Sequence, residues 1–191
     1  MIQKNIKSSA PSCESGEDGL KKVDIEEAIN KKYPEWVVMV VTTDENGTPN
    51  TMPAGWCMFT SGDPRMMATS IGFQRYTHDL LENSDEFVLA YPSKDQKEDV
   101  LYCGNHSGAN VEKFEETDLN PVEASVVEAP LIEESVACFE CEKKGSLDTG
   151  DHTIFAGEVV AAHVTEGTEK IYTVEGWTEE GANGFKSISE I

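Results

Sequence analysis

Runs of β-branched and apolar residues recur at strand length along most of this chain, separated by short polar breaks, and helical spacing is confined to brief interludes. Trp36 to Thr42 is apolar at both odd and even positions, which predicts a central strand buried on both faces. Asp44-Glu45-Asn46-Gly47 is a hairpin signal, and Thr48 to Phe59 leads back as a second strand. Met66 to Ile71 and Glu86 to Tyr91 read as strands, as do Ala124 to Glu128, Ser135 to Glu142 and Thr153 to Val164. The last is long, which predicts a bend or bulge. Ile171 to Glu175 reads as an edge strand. Helices are predicted over Asp24 to Lys32, Arg75 to Asn83, Asp95 to Cys103 and Ala109 to Glu115. Asp24 with Glu27 three residues on has the capping-box pattern, and Leu80 and Leu81 are expected to face inward. At least six strands with interposed helices predict a mainly β fold, an antiparallel barrel with helical decoration.

Composition sharpens this picture. The 191 residues fit one domain over 23–191, preceded by a polar arm over 1–22 rich in serine and glycine. Asp and Glu number 36 against 15 Lys and Arg, a formal charge of -21 that argues against nucleic acid and anionic membrane surfaces as partners. No stretch approaches an apolar membrane span, and the N-terminus lacks a signal-like apolar core, so a cytoplasmic location is expected. Cys13, Cys57, Cys103, Cys138 and Cys141 are then most simply free thiols. Neither a dinucleotide-type glycine fingerprint nor a P-loop is present.

Several residues are candidates for chemistry. Arg75 and Arg65 are the only arginines. Arg75 lies between a strand and a helix start in Ser70-Ile71-Gly72-Phe73-Gln74-Arg75-Tyr76-Thr77, where guanidinium, hydroxyl and free backbone N–H groups suit a phosphate. The same spacing also suits a surface ion pair with Asp79 or Glu82. Asn50-Thr51-Met52-Pro53-Ala54-Gly55-Trp56 offers small residues and a ring that walls a flat ligand or fills a core. Lys113, in a glycine-bracketed segment, either neutralises an anion or pairs with Glu112 or Glu116. His152 either bonds a ligand or is held in a turn by Asp151. Cys138 and Cys141 resemble a redox or metal pair, but residues three apart on a strand point to opposite faces. The four histidines have no metal-ligand spacing.

In order along the chain, these segments resemble the flavin reductase-like branch of the FMN-binding split barrels, which includes flavoredoxins and archaeal ferric reductases. The carriers are Asn50 to Trp56, Ser61 with Asp63-Pro64, Ile71 with Arg75-Tyr76-Thr77, and Cys103-Gly104 with Ser107-Gly108. Val111-Glu112-Lys113-Phe114, Ala129 to Ser135, Glu140-Cys141 and Gly150 to Val159 complete them. The resemblance implies a six-stranded antiparallel Greek-key split barrel, a homodimer, and bound FMN, with FAD as the alternative. Arg75 and Thr77 would hold the phosphate, with Ser70 and Ile71 lining its approach. Asn50, Met52 and Trp56 would lie along the isoalloxazine. Lys113 and His152 would contact its polar side, and Phe185 would close over the ring. Many relatives carry two prolines where this chain has Pro64-Arg65, which places a charge near the mouth of the site. The implied function is an oxidoreductase taking electrons from NAD(P)H to free flavin or ferric-flavin acceptors. An electron carrier with a protein partner and no nicotinamide site is the alternative, and a non-catalytic sensor or storage barrel is the third class.

Overall fold

The computed structural model describes residues 19–174 and 185–190; the first 18 residues of the expected arm, with Cys13, lie outside the described residues. The strands are β1 (Glu35–Trp36), β2 (Val38–Thr43), β3 (Pro49–Ala54), β4 (Cys57–Gly62), β5 (Arg65–Gly72) and β6 (Glu86–Tyr91). They continue as β7 (Pro121–Val122), β8 (Leu131–Ile132), β9 (Ala137–Thr149), β10 (His152–Val164), β11 (Ile171–Thr173) and β12 (Phe185–Ser187). Three α-helices are interposed: α1 (Ile25–Asn30), α2 (Tyr76–Asn83) and α3 (Lys97–Asn105).

The main sheet runs β3-β2-β6-β9-β10-β5-β4, antiparallel throughout. Its two outermost strands, β3 and β4, are consecutive in the chain and joined only by Gly55 and Trp56. A sheet whose edges are two residues apart has to curl until they meet, yet β3 and β4 form no ladder with each other. This is a barrel split along one seam. The main sheet has seven strands, in keeping with the expectation of at least six, and Thr48 to Phe59 supplies two of them, broken at Gly55. A side chain at Gly55 would crowd the Glu35 carboxylate, 2.8 Å from its Cβ, and that carboxylate would have to shift.

β2 is buried on both faces, as its pattern predicts. Val38 and Val40 enter the barrel interior with Met67, Phe87, Leu89 and Phe155. Val37, Met39 and Val41 belong to a second cluster outside the barrel wall, with Val100, Leu131, Ile171 and Phe185. β10 carries the expected bulges, between Ala156 and Gly157 and between Val159 and Ala161. Cys138 and Cys141 fall in different clusters, on opposite faces of β9. β11 pairs with β1 and β12 in a small separate sheet, and Glu175 lies outside the described residues.

Three local expectations fail for physical reasons. Ala124 to Glu128 is a loop. Its burial is real, with Val127 at 7% exposure, but carboxylates take its backbone N–H groups in place of a ladder. Glu140 accepts from Ser125, Val126 and Val127 at 2.9, 2.7 and 3.1 Å, and Glu86 accepts from Glu128 and Ala129 at 2.5 and 2.9 Å. Ala109 to Glu115 forms separate turns, closed by Asn110 N–H to Ser107 O and Glu115 N–H to Glu112 O, because Lys113 is drawn inward. Asp24 caps α1 without a side-chain hydrogen bond, so no capping box forms. In α2, Leu81 is fully buried and Leu80 only half-buried. No helix of the described residues is long and apolar enough to cross a membrane.

Candidate functional site

The seam of the barrel opens into a trough. Its main part, of 420 Å³, is walled by Met52, Pro53, Ala54, Gly55 and Trp56 from the β3–β4 turn and by Ser70, Ile71 and Gly72 from the end of β5. His152 closes one side and Arg75 the other, with Gly104 beside it. A volume of this size suits a small organic cofactor. A narrower end of 170 Å³ shares Met52, Arg75 and Gly104 with it and adds Thr77, Ser107 and Lys113. The strands converge here because β10 and β5 pair from His152↔Gly72 onward, which sets His152 beside the start of the Arg75 loop.

At the wider end, Trp56 is half exposed (54%) and its ring lies 4.9 Å from that of His152 at 41°. His152 Nδ1 is 2.6 Å from Asp151 Oδ1. Both readings of this histidine therefore hold: Asp151 holds the ring, and the ring faces the trough. That contact holds the Asp151 carboxyl below its usual range.

The narrow end collects positive charge. Arg75 is exposed and makes no ion pair among the described residues, so neither Asp79 nor Glu82 neutralises it. Lys113 is 3% exposed, and its ammonium donates to Thr51 O and Cys103 O, both at 2.7 Å. It pairs with neither Glu112 nor Glu116. Burial pushes its pKa down to about 8, with the neighbouring Cys103 opposing and Arg75 adding to the fall. Thr77 is 2% exposed, and its Oγ1 accepts from Asn50 Nδ2 at 2.9 Å. Asn50 Oδ1 is buried without a hydrogen-bond partner among the described residues. His78, one residue past Thr77, fastens α2 to β10 through Thr153 Oγ1 at 2.8 Å and packs on Phe73 and Phe155.

Met52, Trp56, Ser70, Ile71, Arg75 and His152 thus meet in one trough, with Thr77 and Lys113 at its narrow end. Four expectations are corrected. Asn50 does not line the trough; it stands behind Thr77 against Gly108, where an added Cβ would lie 2.0 Å from its Oδ1. Lys113 and His152 line different parts of the trough, because the carbonyls of Thr51 and Cys103 hold Lys113 at its narrow end. Phe185 is 1% exposed and packed in the outer core on β12, which leaves it no face to lay over a ring. Arg65 sits over the Phe59 ring at the β4–β5 turn and lines no part of the trough. Sequence reasoning missed Tyr33, Glu35 and the α1 residues Glu26 and Ile29, which form one lip. They carry no motif, and α1 buries no residue that would have marked it as a wall.

A split antiparallel barrel with an aromatic-walled trough and unpaired cations at one end is the frame of a cofactor-binding barrel with an anion cradle. The chain belongs to the flavin reductase like family: the model of the flavin reductase like domain matches residues 32–176, well over half of it. An uncharacterized protein of Archaeoglobus fulgidus is 39% identical over 135 residues, 71% of this chain and 74% of that one. An NADH-dependent FAD reductase of Streptomyces globisporus is 30% identical over 125 residues, 65% of this chain and 68% of that one. Among solved structures, an FMN-binding protein from Thermus thermophilus superposes with a TM-score of 0.76 at 24% identity, covering 91% of this chain and 97% of that one.

Proposed function

We propose that this chain binds a flavin in the trough and moves electrons from NAD(P)H through it to a flavin or ferric-flavin acceptor. The observation that carries the reading is charge. In a chain of net charge -21, Arg75 and Lys113 converge on one small cleft with no carboxylate partner among the described residues. Buried or converging cations need a counter-ion, and a ligand phosphate supplies it. The residues present fit that group: guanidinium, ammonium and the N-terminus of α2 meet at the cleft.

A bound flavin supplies hydride and single-electron chemistry. The chain's own part is binding and orientation. Arg75 forks onto the phosphate, and Lys113 adds a fixed charge behind it. Thr77, held by Asn50, presents its hydroxyl at the same end. Ser70, Ile71 and Met52 line the path to the wider part, where Trp56 shields one side of a flat ring from water. His152, oriented by Asp151, can donate or accept a proton at the trough wall.

The family resemblance further supports a cytoplasmic homodimer as the working form. The acidic surface favours a basic protein as electron partner over nucleic acid or membrane, and that same charge repels the anionic NAD(P)H. This favours an electron carrier as the second reading. Anaerobic addition of NADH or NADPH to the flavin-loaded protein separates them. Bleaching of the flavin band is expected. A band that persists with nicotinamide but falls with dithionite would transfer the reading to the carrier, and a protein that takes up no flavin would end both.

A further inference from the structure

At the narrow end of the trough, in the cleft that holds Arg75 and Lys113, stands a pair of stacked rings. Tyr102 and His106, one turn apart at the end of α3, stack with centroids 4.0 Å apart and planes 16° apart. His106 Nδ1 lies 2.9 Å from Tyr102 O, so the imidazole is fixed by its stacking and by a hydrogen bond. His106 is exposed, yet lines the same small cleft as Arg75, Thr77 and Lys113. A ring covered on one side and pinned at one nitrogen presents its other face as a flat surface formed before any ligand arrives.

Charge alone does not choose between the two common flavins there. A terminal phosphate carries about −1.5 to −2 near neutral pH. The bridging diphosphate of FAD carries a similar total, one charge on each phosphate. Arg75 and Lys113 suit both. Selection then falls to what stands beside the two cations, and His106, stacked on Tyr102, lines the same cleft. Bases stack on aromatic faces, and each such contact is worth roughly 1–3 kcal/mol. We propose that His106, propped by Tyr102, is an adenine platform, so that the trough takes FAD with the adenine stacked on the imidazole. This deepens the flavin-binding reading and rests on it.

Titration of the flavin-free full chain with FMN and with FAD, followed by flavin fluorescence, tests the platform. His106→Ala is expected to weaken FAD on the order of tenfold relative to FMN, the scale of one stacked base. His106→Phe, which keeps a flat ring, is expected to restore FAD binding. An unchanged FAD-to-FMN ratio in His106→Ala would overturn the platform, as would exclusion of FAD by a wild-type chain that binds FMN. Failure to bind either flavin would instead overturn the parent reading.

Discussion

Among the described residues, two places in this barrel bury charge, and they are built in opposite ways. Beneath the 125–129 loop, Glu140 is fully buried and every demand on it is met: three backbone N–H groups and His163 Nε2 at 2.6 Å surround one carboxylate. Burial alone would raise its pKa, but the hydrogen bonds from Ser125, His163, Val127 and Val126 outweigh it and hold the group down to about 2. At the narrow end of the trough, Arg75 and Lys113 meet with no carboxylate partner among the described residues. A charge whose partners are all supplied by the chain holds the chain together. A charge whose counter-ion the chain withholds is kept for something that arrives.

The sharpest way to break this contrast is to remove each charge and watch stability and binding separately. Glu140→Ala strands the buried Val127 N–H, the part-buried N–H groups of Ser125 and Val126, and the His163 ring. Loss of about 3 kcal/mol is expected, read as a lower urea midpoint. A midpoint equal to wild type would mean that the loop does not depend on this carboxylate. The same site predicts acid sensitivity. The folded pKa lies below the unfolded carboxyl value of 4.5, so its stabilisation is complete above pH 4.5 and drains away as pH falls toward 2. Arg75→Ala is expected to do the reverse. Stability should stay within about 0.5 kcal/mol, since the side chain is exposed and unpaired. Flavin affinity should fall roughly 30-fold, the scale of a charge-assisted hydrogen bond lost from an anion site. A large drop in the urea midpoint with intact flavin binding would reverse the roles assigned to the two charges.

Much of this was legible in the residues themselves. The two-faced burial of β2 follows from an unbroken apolar run, and the opposite facing of Cys138 and Cys141 follows from strand geometry. Arg75 was legible as a candidate because an arginine at a strand–helix junction is rare in so acidic a chain, and the structure sets it in the trough without an ion pair among the described residues. Periodicity could not show who satisfies the backbone. Ala124 to Glu128 has the apolar content of a strand, but its hydrogen-bond partners are side chains on β6 and β9, distant in sequence. Lys113 was misplaced for the same reason: its acceptors are main-chain carbonyls of β3 and α3, which no side-chain pattern encodes. Phe185 was read as a lid from the family resemblance, with no pattern of its own behind it, whereas its place on β12 in the outer core buries it.

The smallest expected effect is also the most particular to Lys113. In the free protein, burial and Arg75 lower its pKa to about 8. A phosphate in the cleft favours the charged ammonium, so the pKa rises on binding. The sign follows: below pH 8 the lysine is already charged and affinity is flat, and above it binding must take up a proton, so flavin affinity falls as pH rises, by at most about tenfold per pH unit. The slope should span the interval between the free and bound pKa values and vanish in Lys113→Met, which fills the same space without a titrating group. Flavin titrations at pH 7, 8, 9 and 10 on both proteins measure it. A wild-type affinity that is level from pH 7 to 10 would show that Lys113 acts only as a clasp between Thr51 and Cys103, and would leave Arg75 as the sole charge the cleft holds in reserve.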